Sequence, residues 1–428
     1  MNLLIINANE VITMASDVKG PRTKEAMKDI GVRKNVSVLL ADRRIVDIAP
    51  LETLHLAYPQ LIEKAEVIDA SGKVVMPGLV DCHTHLVHGG TREDEFQMRL
   101  EGKTYMEIMN AGGGIYNTTN KTRAASFEHL YAKAYLRLND FLKHGVTTVE
   151  AKSGYGLDWE NEKKQLQVVK ALQEKHPIDV VPTFMGAHAV PQEYKGNEDA
   201  FVDVLIQQML PQVAKNKLAE FNDVFCEKGV FTPQQARRIL EAGNALGLIP
   251  KIHADEIECY EGAELAAQVG AISAEHLLVA SDKGIRAMAT AGTIAVLLPG
   301  TAFFLNIPYA RGRFIIDAGV PVAISTDFNP GSSPTISLPF IQNLACMHMG
   351  MTMEEVLTAT TINAAYAINR GAEIGSLERG KKADILILDV SNYKQLQYFY
   401  GMNHTDTVIK NGEVVMRAGV LQRILGNA

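Results

Sequence analysis

From residue 74 to residue 332 the chain repeats one theme: a short apolar run, a polar or glycine-rich break and, in most cases, a helical stretch. Eight such runs occur, namely VVMPGLVDCHTH, VTTVEAKSG, DVVPTFMGAH, NDVFCEKG, LIPKIHADE, ISAEHLL, TIAVLLPG and PVAISTDFNPGSS. Branched apolar residues extend along these runs, the pattern of parallel strands buried on both faces. The stretches between them include FEHLYAKAYLRLNDFLKHG, EKKQLQVVKALQEKH and PQQARRILEAGNALG, whose apolar positions recur at helical spacing. Parallel strands alternating with helices predict an α/β fold, specifically a (β/α)8 TIM-like barrel.

The two ends differ from this middle. LLIINANEVITM, NVSVLLADRRIVDIAP and AEVIDASGKVVMP alternate apolar and polar residues, as do KKADILILDV and HTDTVIKNGEVVMRAG near the other end. Asn411-Gly412 marks a hairpin turn. Neither end could bury much core alone, so both are expected to build one small sheet domain. The expected boundaries are 1–77 plus 371–428 for that domain and 78–370 for the barrel.

Composition excludes several classes of function. With a net charge of −7, the chain has no basic field for nucleic acid or anionic lipid. The start, MNLLIINANEVITM, lacks the basic region of a signal peptide, and Pro299-Gly300 interrupts the longest apolar run, so no membrane partner is expected. Cys82, Cys226, Cys259 and Cys346 show no paired spacing, which suggests free thiols and a cytoplasmic protein.

The chemistry-bearing residues fall at strand ends, and barrels of this kind build active sites at the C-terminal ends of their strands. His83 and His85 follow the apolar run Val74 to Val80, and residues i and i+2 of a strand share a face. His253 ends the fifth strand, His276 the sixth, and Asp327 follows the eighth. Three imidazoles and a carboxylate suit Zn²⁺ or Fe²⁺, and a position left for water would make the site hydrolytic. Glu256, three residues beyond His253, is placed to relay a proton from water to a leaving nitrogen, with a loop charge or helix N-terminal acid as its ordinary alternative; Asp255 is the rival carboxylate. His276 would polarise a carbonyl or steady the nucleophile, unless it is simply a hydrogen-bonded core histidine. Arg92 has the planar fork that fits a substrate carboxylate, with a surface salt bridge as the alternative. Tyr155 and His188 close the second and third strands, and Asn329, Gly331 and Ser332 follow Asp327 in a turn-rich loop; each alone has an ordinary structural explanation. Gly112-Gly113-Gly114 lacks the spacing of a phosphate loop.

Taken together, these segments resemble the amidohydrolase superfamily along nearly the whole chain. The Pro-Gly-x-x-Asp-x-His-x-His pattern from Pro77 to His85 is shared widely there, whereas SGYGL, MGAHA and TDFNPGSSP are much narrower. These select the branch that opens the cyclic amide of 4-imidazolone-5-propanoate to N-formimidoyl-L-glutamate in histidine degradation. The resemblance implies a barrel flanked by a small β-sandwich built from both termini, a homodimer, and one Zn²⁺ or Fe³⁺ held by His83, His85, His253 and Asp327. It matches Arg92, Tyr155, His188, Glu256, Asn329, Gly331 and Ser332 to substrate contacts. A bridging lysine of dinuclear relatives has no counterpart, because Lys228 falls too late in the fourth strand. A purine or pyrimidine deaminase is the nearest rival; a non-catalytic barrel is disfavoured by the filled ligand positions.

Overall fold

The computed structural model describes residues 2–103, 107 and 112–422. Eight parallel strands stand side by side in chain order: β1 Leu79–Asp81, β2 Val146–Lys152, β3 Asp179–Ala187, β4 Phe221–Cys226, β5 Ile249–Ala254, β6 Ser273–His276, β7 Ile294–Leu297 and β8 Val322–Ile324. The first and last strands meet beyond their regular ladders. Thr84 bridges Phe328, and the His85 N–H donates to the Phe328 carbonyl at 2.8 Å. The Asp81 carboxylate fastens the same seam by accepting from the Ser325 hydroxyl and, at 2.7 Å, from Thr326 Oγ1. The expected barrel is therefore present.

Helices form where the sequence supplies both a start signal and an apolar face. Phe127–Lys143 opens on Ser126, whose side chain accepts from the His129 N–H, and buries Leu130, Ala134, Leu138 and Phe141. Trp159–Lys175 is capped by Asp158, and Pro233–Ala245 by a reciprocal Thr232–Gln235 box. Burying each large apolar side chain against the barrel contributes about 1.5–3 kcal/mol. No helix among the described residues is long and apolar enough to cross a membrane.

Two further sheets flank the barrel. One orders Arg44–Ala49, Ser37–Ala41, Asn2–Ile6 and Ala65–Asp69; the other joins both ends of the chain, with Ile385–Leu388 pairing to Val74–Pro77. Leu3, Ile5, Val38, Leu40, Val75, Ile385, Ile387 and Ile409 form their shared core. Asn411 (φ 51°) and Gly412 (φ 74°) turn the C-terminal hairpin with both residues left-handed, the type I′ geometry that matches strand twist. The Lys410 ammonium, buried, lies 2.7 Å from both Asp384 Oδ2 and Asp179 Oδ2, tying this sheet to the start of β3.

One expectation needs correction. The run Val74 to Val80 is not a single strand ending in histidines. Its hydrogen bonds change partner at Gly78, whose N–H donates to Asp384, while the Leu79 N–H donates to Gly145. Val74–Pro77 belongs to the flanking sheet, β1 is short, and His83 and His85 lie just past it.

Candidate active site at the barrel mouth

The five residues at strand ends converge. His83 lies 4.6 Å from His253 and 5.5 Å from both His85 and His276, ring centre to ring centre. Asp327 Oδ1 is 3.3 Å from His83 Nε2 and 3.7 Å from His85 Nε2, and its other oxygen accepts from Thr301 Oγ1 at 2.6 Å. Asp327 (φ 51°) and His276 (φ 74°) both adopt left-handed backbone, a strained conformation typical of functional sites.

His83, His85 and His253 offer nitrogens within 4.8 Å of one another, and His83, His276 and Asp327 form an overlapping set. His83 Nε2 and His253 Nε2 are buried with no hydrogen-bond partner among the described residues, and His85 turns its Nε2 to within 3.7 Å of Asp327 Oδ1. Buried polar atoms are nearly always bonded, so this convergence of orphaned nitrogens beside a carboxylate fits a bound cation. Burial opposes charge on His83, yet Glu275 and Asp327 outweigh it and raise the ring to about 9. Asp327, against its burial, is held down to about 2 by His83. Burial lowers His85 and His276 well below the usual histidine range.

The two rival carboxylates separate cleanly. Asp255 turns left-handed (φ 50°) and accepts from the N–H groups of Tyr260, Gly262 and Ala263 at 2.7, 3.1 and 2.9 Å, so it caps the following helix. Glu256 instead faces the site, 3.6 Å from His276 Nε2. Burial, with Asp327 and Glu227 nearby, raises its carboxyl to about 8. Glu227 also anchors this loop, accepting from the Ile257 N–H at 2.9 Å and the Glu258 N–H at 3.2 Å. Lys228 is exposed and pairs with Glu258 at 2.9 Å, away from the histidines.

Arg92 is half-buried, and its Nε donates to Thr118 at 2.7 Å, leaving both terminal amino groups uncommitted among the described residues. No carboxylate among the described residues lies within ion-pair distance of it. Its guanidinium lies over Gly331: a Cβ there would be 2.9 Å from Arg92 Cζ, so a bare backbone makes room for the charge. Tyr155 is buried 5.7 Å from His85 and 5.2 Å from His188, ring to ring. His188 stacks on His85 at 4.8 Å, and burial lowers it to about 3. Asn329 is wired into its own turn: its amide donates to Asp327 O at 2.7 Å, and its oxygen accepts from the Gly331 and Ser332 N–H groups, each at 2.8 Å. Its observed contacts therefore hold the loop that presents Gly331 and Ser332.

Sequence inspection missed the layer beneath. Glu150, Lys152, Asp223, Lys251 and Glu275 are all buried inside the barrel. Their signal was charge at alternate positions within otherwise apolar strands, as in Val-Glu-Ala-Lys.

The amidohydrolase family model matches residues 74–415. The imidazolonepropionase of Geobacillus sp. (strain WCH70) is 62% identical over 419 residues, covering 98% of this chain and 99% of the relative. The chain belongs to the amidohydrolase family, in its imidazolonepropionase branch. The Brevibacillus brevis (strain 47) imidazolonepropionase is likewise 62% identical to this amidohydrolase, over 97% of this chain and 98% of that one. Among solved structures, an adenosine deaminase from Xanthomonas campestris with bound zinc superposes with a TM-score of 0.70 at 18% identity, covering 99% of this chain and 94% of that one. The E. coli guanine deaminase gives 0.72 at 12% identity, covering 97% and 99%. At such identities these two speak for the shared fold alone.

Proposed function

We propose that this amidohydrolase hydrolyses 4-imidazolone-5-propanoate to N-formimidoyl-L-glutamate, opening a cyclic amide in histidine degradation. The observation that carries the substrate assignment is the uncommitted Arg92 fork over Gly331, on the same mouth as the Glu256–His276 pair. A propionate-bearing ring needs such an anchor; a purine or pyrimidine base carries no carboxylate to meet it.

His83, His85, His253 and Asp327 would hold one metal ion, Zn²⁺ or Fe³⁺. Bound there, the ion would acidify a water molecule and polarise the ring carbonyl. Arg92 grips the propionate, and Tyr155 and His188 flank the ring. Gly331 and Ser332, presented by the Asn329 turn, complete the wall on the Arg92 side. Glu256 takes the proton of the attacking water and returns it to the ring nitrogen as the C–N bond breaks, a role supported by its place beside His276 at the barrel mouth. Neutral His276 donates a hydrogen bond to the oxygen on which negative charge develops. We further infer a cytoplasmic homodimer, with 1–77 plus 371–428 as one domain and 78–370 as the other.

The test is loss of imidazolone absorbance on adding purified protein, with and without a chelator. Substrate loss accompanied by formation of the acyclic glutamate derivative supports this function. Ammonia release from guanine, adenosine or cytosine, with the imidazolone untouched, would replace it with a deaminase.

A further inference from the structure

Below the histidines, the barrel carries charge where a buried core is ordinarily apolar. The ammonium of Lys152 on β2 lies 2.8 Å from Glu150 Oε1, 2.8 Å from Asp223 Oδ2 and 2.9 Å from Glu275 Oε2. All four side chains are fully buried. Two of the carboxylates continue upward to the site. Asp223 Oδ1 accepts from His253 Nδ1 at 3.0 Å. Glu275 Oε2 stands 2.5 Å from His83 Nδ1, a close polar contact, and 3.7 Å from His253 Nδ1. The third, Glu150, accepts from the Thr183 hydroxyl and has no imidazole contact among the described residues. Lys251 braces the layer from β5, 3.0 Å from Glu275 Oε1.

An imidazole presents two nitrogens, and a carboxylate at one edge decides which is left to ligate. In a dry interior that carboxylate must itself be held and kept ionised, and a buried cation can do both. Among the described residues, Lys152 is the cation that pairs with both Asp223 and Glu275. We propose that Lys152 is a positioning residue that, through Asp223 and Glu275, fixes His253 and His83 with the Nε2 of each facing the metal. The role presupposes the ligand set proposed above.

The experiment measures zinc affinity of the metal-stripped full-length protein by chelator competition, alongside thermal unfolding of the metal-free form. Asp223→Asn and Glu275→Gln should each weaken zinc binding by about 10- to 100-fold. Glu150→Gln removes an equally buried partner of the same lysine; it should lower thermal stability similarly yet bind zinc like the wild type. Lys152→Met strips the cation from three carboxylates and is expected to cost so much stability that the carboxylate variants carry the decision. Wild-type zinc affinity in Asp223→Asn and Glu275→Gln would overturn the proposal, as would an equal loss in Glu150→Gln, since either leaves Lys152 a purely structural charge. His253→Ala separates the two levels. If it binds zinc like the wild type, the ligand set itself is wrong; if it loses zinc while the carboxylate variants keep it, only the positioning role fails.

Discussion

Replacing Arg92 with Ala tests the substrate assignment most directly. The side chain spends one of its donors on Thr118, at 2.7 Å, and holds the rest over the bare backbone of Gly331. A substrate carboxylate there would gain a two-pronged, charge-assisted contact, about 1.5–3 kcal/mol. At tenfold per 1.4 kcal/mol, its loss raises KM by about 10- to 150-fold. Because Arg92 is half-buried and partly screened by solvent, the lower part of that range, about 10- to 30-fold, is expected. The value of kcat should change far less, since the guanidinium touches the propionate and not the breaking bond. Arg92→Lys should recover part of the loss, supplying charge without the fork. The assay is steady-state hydrolysis of the imidazolone and of its propionate methyl ester by wild type and variant. Esterification should penalise the wild type but add nothing to the Arg92→Ala defect, the non-additivity expected of a direct contact. An unchanged KM, or full additivity of variant and ester, would refute the carboxylate anchor.

Three further outcomes are expected. His253→Ala should lose bound metal and activity together, which elemental analysis beside the activity assay will show. Glu256→Gln should lower kcat by about 10²- to 10⁴-fold with little change in metal content, because only the proton relay is removed. Lys410→Met should cost about 3–5 kcal/mol in denaturant unfolding by stranding the buried Asp384 carboxylate. Asp384 and Asp179 raise Lys410 against its burial, so in the wild type its contribution is present below the unfolded lysine value and fades as pH climbs through the folded one. Asp179 is shifted the opposite way, held low by Lys410 and Lys382 despite its burial, so its share is lost as pH falls through its folded value.

The barrel was legible because strand and helix periods differ and because a parallel strand has no polar face. The positions of His253, His276 and Asp327 followed from that one rule about strand ends. What escaped had two physical causes. The choice between Asp255 and Glu256 hangs on the left-handed backbone of Asp255 (φ 50°), which swings that carboxylate onto a helix start. No spacing of residues announces that swing. The charged floor escaped because its members are spread over four strands, and only the closed sheet stacks Lys152 against Asp223 and Glu275. A further case is the Asn329 turn: nothing in the residue's type announced that its amide would bond Asp327, Gly331 and Ser332.

The seam between β1 and β8 has a consequence for how the molecule is made. Asp81 meets Thr326 across 245 residues of chain, and His83 meets Asp327 at the same junction. Contacts so distant in sequence form late, after the intervening strands have stacked and the entropy of closing so long a loop has been overcome. During synthesis, then, the two halves of the ligand set stay apart until the eighth strand has emerged. Metal capture would report completion of the ring, and a chain truncated before Asp327 could fold much of its wall without gaining a site.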